Sequence, residues 1–161
     1  MADHRIWAPW RLAYVKDASK DTDCIFCAKP AEDSDEETFI VHRGERCFVI
    51  LNTFPYTNGH LMVAPFAHIA KLHELDRETV GELMALAGRA MEIVDDAYGP
   101  EGYNVGFNQG RIAGAGFDAH IHMHVVPRWA GDTNYMPVLA DTRVMPQTLE
   151  QSYEMLKGRF G

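Results

Sequence analysis

Between residues 76 and 98, apolar side chains recur at three- and four-residue spacings: Val80, Leu83, Met84, Leu86, Ala87, Met91, Val94 and Ala97. That spacing predicts an amphipathic helix, with Asp76 as its N-cap and Gly99-Pro100 as its stop. Elsewhere the apolar residues come in short runs bounded by turn residues, the mark of strands. TFIVHR, the turn residues Gly44 and Glu45, and CFVILN predict a hairpin; HLMVAP, closed by Pro65, and YNVGFN predict two further strands. The tail from Pro146 to Phe160 predicts a last helix with Pro146 in its first turn, and the acidic KPAEDSDEET of residues 29–38 predicts a solvated loop. Strands in runs, rather than alternating with helices, predict an α+β domain on an antiparallel sheet. No repeat or linker divides the chain, so residues 1–161 are expected to form one domain, with 1–23 as an N-terminal arm and 135–161 as a C-terminal segment. Trp7, Pro9, Trp10 and Tyr14 in the arm follow no period, and they suit packing on a partner subunit or on the protein's own core.

One run differs from the rest. In AHIHMHVVPRW, Ala119 to Trp129, a strand would put His120, His122 and His124 on one face and Ile121, Met123 and Val125 on the other. With eight histidines in 161 residues, chance gives this pattern roughly 2% of the time, so a strand that merely happens to be His-rich is the weaker reading. Two chemistries suit three imidazoles on one face. They can ligate a metal, or one can attack phosphorus while its neighbours bind phosphate oxygens and protonate the leaving group. Gly110, Gly114 and Gly116 lie just upstream, and a glycine-rich loop brings backbone N–H groups close to an anion, which favours phosphate.

With 23 acidic and 15 basic residues, the net charge of −8 excludes a broad basic surface for nucleic acid polymers or anionic lipid, though not a small anionic ligand. The first residues carry charge and proline early and no apolar run approaches membrane-spanning length, so the expectation is a cytoplasmic protein with no membrane partner. Three cysteines are too few for a disulfide framework, and the Cys24-x-x-Cys27 pair in a reducing compartment points to metal or redox chemistry.

His120-Ile121-His122-Met123-His124-Val125-Val126 resembles the signature of the histidine triad (HIT) superfamily of nucleotide hydrolases and transferases. LNTFPYTNGHLMVAP and NVGFNQG followed by AGAG resemble that family's other blocks, and the likeness runs from about Cys24 to Asn134. The resemblance implies a HIT-like fold, a five-stranded antiparallel sheet with a long helix and a C-terminal helix, working as a homodimer. It implies that His122 attacks the α-phosphorus of a nucleotide, that His124 contacts phosphate and assists the leaving oxygen, and that His60 supports His122. By the same resemblance Asn52 binds the ribose, Asn108 lies near the phosphates, and the loop glycines Gly114 and Gly116 supply backbone donors. Cys24, Cys27, His68 and His120 match a structural zinc site of bacterial members, and no organic cofactor is implied. His42 and His73 match nothing and are expected to be ordinary surface or core residues.

Within the family, the long AGAGFDA loop, the WAPWRLAYV arm and VVPRWAGDTNYMPVL look like the bacterial diadenosine tetraphosphate phosphorylase group. That branch implies cleavage of dinucleoside polyphosphates with inorganic phosphate as second substrate. Hydrolysis of the same compounds, hydrolysis of nucleoside phosphoramidates, and a nucleotide-binding or sensing role without turnover compete with it. The chain departs from the branch at Gly116, where that group has Ser, which favours hydrolysis; and it lacks the Gln that phosphoramidases and many hydrolases carry before the triad.

Overall fold

A computed structural model of the protein describes residues 24–132 and 145–161. The expected N-terminal arm and part of the C-terminal segment lie outside the described residues. In chain order the elements are α1 (Ile25–Ala31), α2 (Asp35–Thr38), β1 (Ile40–Arg43), β2 (Cys47–Leu51), β3 (Leu61–Pro65), a 3-10 turn (Leu72–Glu74), α3 (Arg77–Tyr98), β4 (Gly102–Phe107), a second 3-10 turn (Arg111–Ala113), β5 (Met123–Arg128) and α4 (Leu149–Leu156). The strands form one antiparallel sheet in the order β1-β2-β3-β5-β4.

Every residue of β2 and β3 is buried, which is why these strands read as continuous apolar runs instead of alternating ones. One face of the sheet, with Val49, Leu51, Leu61, Val63, Met123 and Val125, packs on Leu83, Ala87, Ala90, Ile93 and Val94 of α3. On the other face Ile40, Phe48, Ile50, Met62 and Ala64 cluster with Phe26 of α1. The long helix carries both expected signals. The Asp76 side chain accepts the Thr79 N–H at 2.7 Å, and Gly99 takes the left-handed conformation (φ +56°) while its N–H donates to the Asp95 carbonyl. Its periodicity was broader than its buried face, since Met84 is 54% exposed. Glu82 of α3 ties the helix to the β1–β2 turn by accepting the backbone N–H of Arg46 and of Cys47 at 3.0–3.2 Å. Gly44 makes room for it, because a Cβ there would lie 2.1 Å from a Glu82 carboxylate oxygen.

Two expectations need correction. Residues 29–38 are not simply a solvated loop: they contain the end of α1 and all of α2. The reason is non-local, for Arg43 at the end of β1 donates to the Pro30 carbonyl (2.7 Å) and the Glu32 carbonyl (3.2 Å) and pairs with Asp35, capping a helix end that the local sequence leaves open. The last helix starts at Leu149, and Pro146 precedes it. A capping box sets that start, with the Thr148 hydroxyl accepting the Gln151 N–H and the Gln151 side chain accepting the Thr148 N–H.

Candidate active site and metal centre

The histidine run is only half a strand. The ladder begins at Met123, so His120 and His122 lie on the lead-in to β5 and only His124 lies within it. His124 pairs with Met62 of β3, and His60 lies two residues before Met62, so strand alternation places His60 on the same face as His124. Asn108 follows Phe107, the ladder partner of Met123, and so stands at the level of His122. None of this is a surface row: His60, His120 and His122 are 0%, 1% and 6% exposed.

Hydrogen bonds fix the proton positions. The His60 Nδ1 accepts the Tyr56 N–H at 3.1 Å, so a neutral His60 carries its proton on Nε2 and donates it to His124 Nδ1 at 3.0 Å. A neutral His124 then carries its own proton on Nε2. Asn52 lies beside this pair, its Oδ1 accepting the Phe54 N–H at 2.9 Å and its Nδ2 3.4 Å from His60 Nε2. The Nδ1–H of His122 donates to the His120 carbonyl at 2.9 Å, which leaves the Nε2 lone pair outside that bond. Burial holds the His122 imidazole below its ordinary pKa, against the opposing effect of that hydrogen bond, so the ring is neutral at physiological pH. The His122 and His124 rings stand edge to face with centroids 5.0 Å apart.

His120 has the opposite tautomer. Its Nε2–H donates to the Pro65 carbonyl at 2.8 Å, which turns Nδ1 toward Cys24 Sγ (3.3 Å) and Cys27 Sγ (3.6 Å). His68 Nδ1 lies 3.3 Å from Cys27 Sγ, and the four ligand atoms of Cys24, Cys27, His68 and His120 all fall within 4.8 Å of one another. A tetrahedral zinc with ordinary Zn–S and Zn–N bonds has S···N edges of about 3.5 Å, so the donor set fits such an ion in type and in spacing. Burial pushes His120 down to about 4, with nearby His68 and His122 adding to the effect and the Pro65 carbonyl opposing it; the ring is therefore a neutral ligand. Burial and the adjacent Cys27 push the Cys24 thiol up to about 11, so the pair binds as thiolates where a cation offsets the charge.

The fold thus brings His60, His122, His124 and Asn52 into one group and the four metal-type ligands into another. Gly114, in the left-handed region at φ +91°, and Gly116 belong to the loop before the triad, which reaches the site through Phe117 packed against Phe26. His42 stacks on Phe160 near the chain end, and His73 is exposed, as expected of residues outside the site. Sequence reading missed three groups: the Tyr56 N–H, the Pro65 carbonyl, and Phe26, whose ring lies 4.5 Å from that of His122. Only Phe26 left a signal, an aromatic residue between two cysteines.

The HIT domain family matches residues 33–131. The chain belongs to the HIT family. A Mycobacterium tuberculosis protein named AP-4-A phosphorylase is 37% identical over 159 residues, covering 94% of this chain and 82% of that one. The adenosine 5'-monophosphoramidase of Schizosaccharomyces pombe is 41% identical over 78 residues, 48% of this chain and 55% of its own. A solved structure of a Zn-bound histidine triad family protein from Mycobacterium smegmatis matches with a TM-score of 0.69 at 30% identity, covering 86% of this chain and 93% of that one. This HIT protein is accordingly a nucleotide-processing enzyme, and among its described residues no helix is long and apolar enough to cross a membrane.

Proposed function

We propose that this HIT protein cleaves dinucleoside polyphosphates such as diadenosine tetraphosphate through a nucleotidyl-His122 intermediate, with phosphorolysis favoured over hydrolysis. The observation that carries the reading is the bond from His122 Nδ1–H to the His120 carbonyl, because it leaves a neutral ring with its lone pair on Nε2. In the first step Nε2 attacks the α-phosphorus and the bond from phosphorus to the bridging oxygen breaks. The leaving nucleoside polyphosphate departs as its anion, its oxygen accepting a hydrogen bond from His124 Nε2–H, the position that the chain from the Tyr56 N–H through His60 leaves for the proton of a neutral His124. In the second step an oxygen of inorganic phosphate attacks the same phosphorus, the bond to His122 breaks to return the neutral ring, and the phosphate's proton leaves to solvent; with diadenosine tetraphosphate the products are ATP and ADP. Asn52 would bind the ribose, and Asn108 with the backbone of Gly114 and Gly116 would bind the phosphates.

The preference for phosphate over water is supported by the 37% identity with the AP-4-A phosphorylase over nearly the whole chain. Phosphoramidate hydrolysis is a second reading, supported by the shorter match to the monophosphoramidase. The deciding experiment incubates the purified protein with diadenosine tetraphosphate, with and without phosphate, and with adenosine phosphoramidate, and resolves the products. Phosphate-dependent ADP is expected; AMP formed equally well without phosphate makes the protein a hydrolase, and turnover of the phosphoramidate alone supports the second reading. Binding of nucleotide with no turnover in any of the three incubations leaves a sensing protein.

Cys24, Cys27, His68 and His120 would hold a zinc ion in a structural role, supported by the spacing of their ligand atoms. Bound there, the ion supplies the positive charge that stabilises the two thiolates and joins α1 to the sheet. Metal analysis should find about one zinc per chain, and intact, reduced thiols without zinc would refute the assignment. The same reading takes the protein to be a cytoplasmic homodimer, for which sedimentation at twice the chain mass is the check.

A further inference from the structure

We infer that Phe26 is a positioning residue for His122, held in place by the Cys24/Cys27/His68/His120 cluster, so that metal binding and the geometry of the nucleophile are coupled. The inference rests on the reading above in which His122 is the nucleophile. The His122 imidazole is restrained at two places. Its Nδ1 edge is held by the His120 carbonyl, and its face lies against the Phe26 ring, with centroids 4.5 Å apart and planes 25° from parallel. A hydrogen bond at one edge alone allows the ring to swing about that bond, and the stacked ring removes the swing that would carry Nε2 off line.

Both restraints lead to the metal ligands. The carbonyl belongs to His120, whose own ring faces the two cysteines and packs 5.3 Å from Phe26. Phe26 itself lies between Cys24 and Cys27 on α1, a seven-residue helix with no side-chain N-cap and no other buried residue. A helix that short is not held by its own hydrogen bonds, so its position comes from tertiary anchors. At its N-terminal end those anchors are Phe26 itself, seated among Ile40, Phe48, Ile50, Met62 and Ala64, and the two cysteines that flank it, which set where along that bed the ring sits. The same ring packs edge-on against Phe117, with centroids 6.2 Å apart, so the glycine loop that would carry phosphate donors rests on it as well.

Phe26→Leu, which keeps an apolar side chain without the ring, and Phe26→Tyr, which keeps the ring, separate positioning from bulk packing. Three readouts apply to each: zinc per chain, the long-range 1H–15N spectrum of the His122 ring recorded without substrate at one pH, and kcat and KM on diadenosine tetraphosphate. The expected result for Phe26→Leu is full zinc content, loss of the single Nδ1–H tautomer pattern, a kcat lower by roughly ten- to a hundredfold and a KM within about threefold of wild type. Phe26→Tyr should restore the ring pattern and most of kcat. Stripping zinc from the wild-type protein with a chelator should disturb the His122 pattern in the same way, an arm that holds even if Phe26→Leu does not fold. An unaltered His122 spectrum in zinc-loaded Phe26→Leu, or after stripping, would overturn the coupling; a raised KM at unchanged kcat would make Phe26 a substrate contact instead. Because the spectra need no substrate, a wild-type protein inert toward diadenosine tetraphosphate defeats the proposed reaction while the ring patterns still decide this inference.

Discussion

The metal-type cluster and the histidine group are built from the same residue, two positions apart, in opposite protonation patterns. His120 donates from Nε2 to one backbone carbonyl and turns Nδ1 to the cysteines; His122 donates from Nδ1 to another, which leaves the Nε2 lone pair outside that bond. Burial lowers the pKa of both rings, so neither difference in charge nor difference in exposure separates them. What separates them is which carbonyl is in reach. In the cluster, lone pairs converge from four residues and call for a cation. In the other group the bonds run in one direction, from the Tyr56 N–H to His60 and from His60 to His124, while His122 is held separately by the His120 carbonyl.

If the two regions divide the labour in this way, substitutions should separate their effects. The largest is expected for His122→Ala, which should lower kcat by more than about a thousandfold while leaving zinc content and melting temperature near wild type. A variant that keeps more than a tenth of wild-type turnover would remove His122 from the nucleophile role. Replacing Cys24 and Cys27 together by Ser should act in the reverse order of cause, removing zinc and lowering the melting temperature by roughly 10 °C, as for the loss of about 3 kcal/mol from a chain of this size. Equal melting curves with and without the cysteines would show that the cluster carries no structural load.

A smaller effect is expected from His60→Ala. It removes the donor to His124 Nδ1 and should lower kcat by about tenfold to a hundredfold, with KM little changed, since the ring is buried behind His124. Steady-state kinetics at saturating phosphate measures it, and a change confined to KM would assign His60 to substrate binding. Asp76→Ala is the control outside both regions. The Thr79 N–H holds the Asp76 carboxyl below the usual carboxylate range, so its contribution is complete above the unfolded-state pKa near 4 and is lost as pH falls through the lower folded-state value. The variant should melt slightly below wild type at pH 7, the gap should close in acid, and zinc content and kcat should not change.

Much of this arrangement was legible along the chain because its causes are local. The α3 caps, the β1–β2 hairpin and the alternation of His122 with Met123 and His124 follow from spacing and from residues that favour turns. The Cys24-x-x-Cys27 pair is legible in its spacing, but its partners His68 and His120, and His60, come only through resemblance, since Cys24 and His120 are 96 positions apart and nothing near His60 announces that it is fully buried. What escaped was held by distant or backbone groups. Arg43 caps α1 from across thirteen residues, and backbone carbonyls and N–H groups set all three tautomers without leaving a trace in residue type. The Thr148–Gln151 capping box is the exception, a local signal that outweighs Pro146 in setting where the helix starts.

The order of the sheet has a consequence for how the protein comes to exist. Among the described residues β5 is the last strand, yet it lies between β3 and β4, which do not pair with each other. A growing chain on the ribosome can complete β1, β2, β3 and α3 while one edge of β3 stays open, and it can close that edge only after residue 128 has emerged. His60 waits there just before β3, with His124 arriving on the strand that seals the sheet and His122 on the segment that leads into it. A nascent chain therefore keeps an open strand edge until β5 docks, and the step that closes it is the one that brings His122 and His124 to His60.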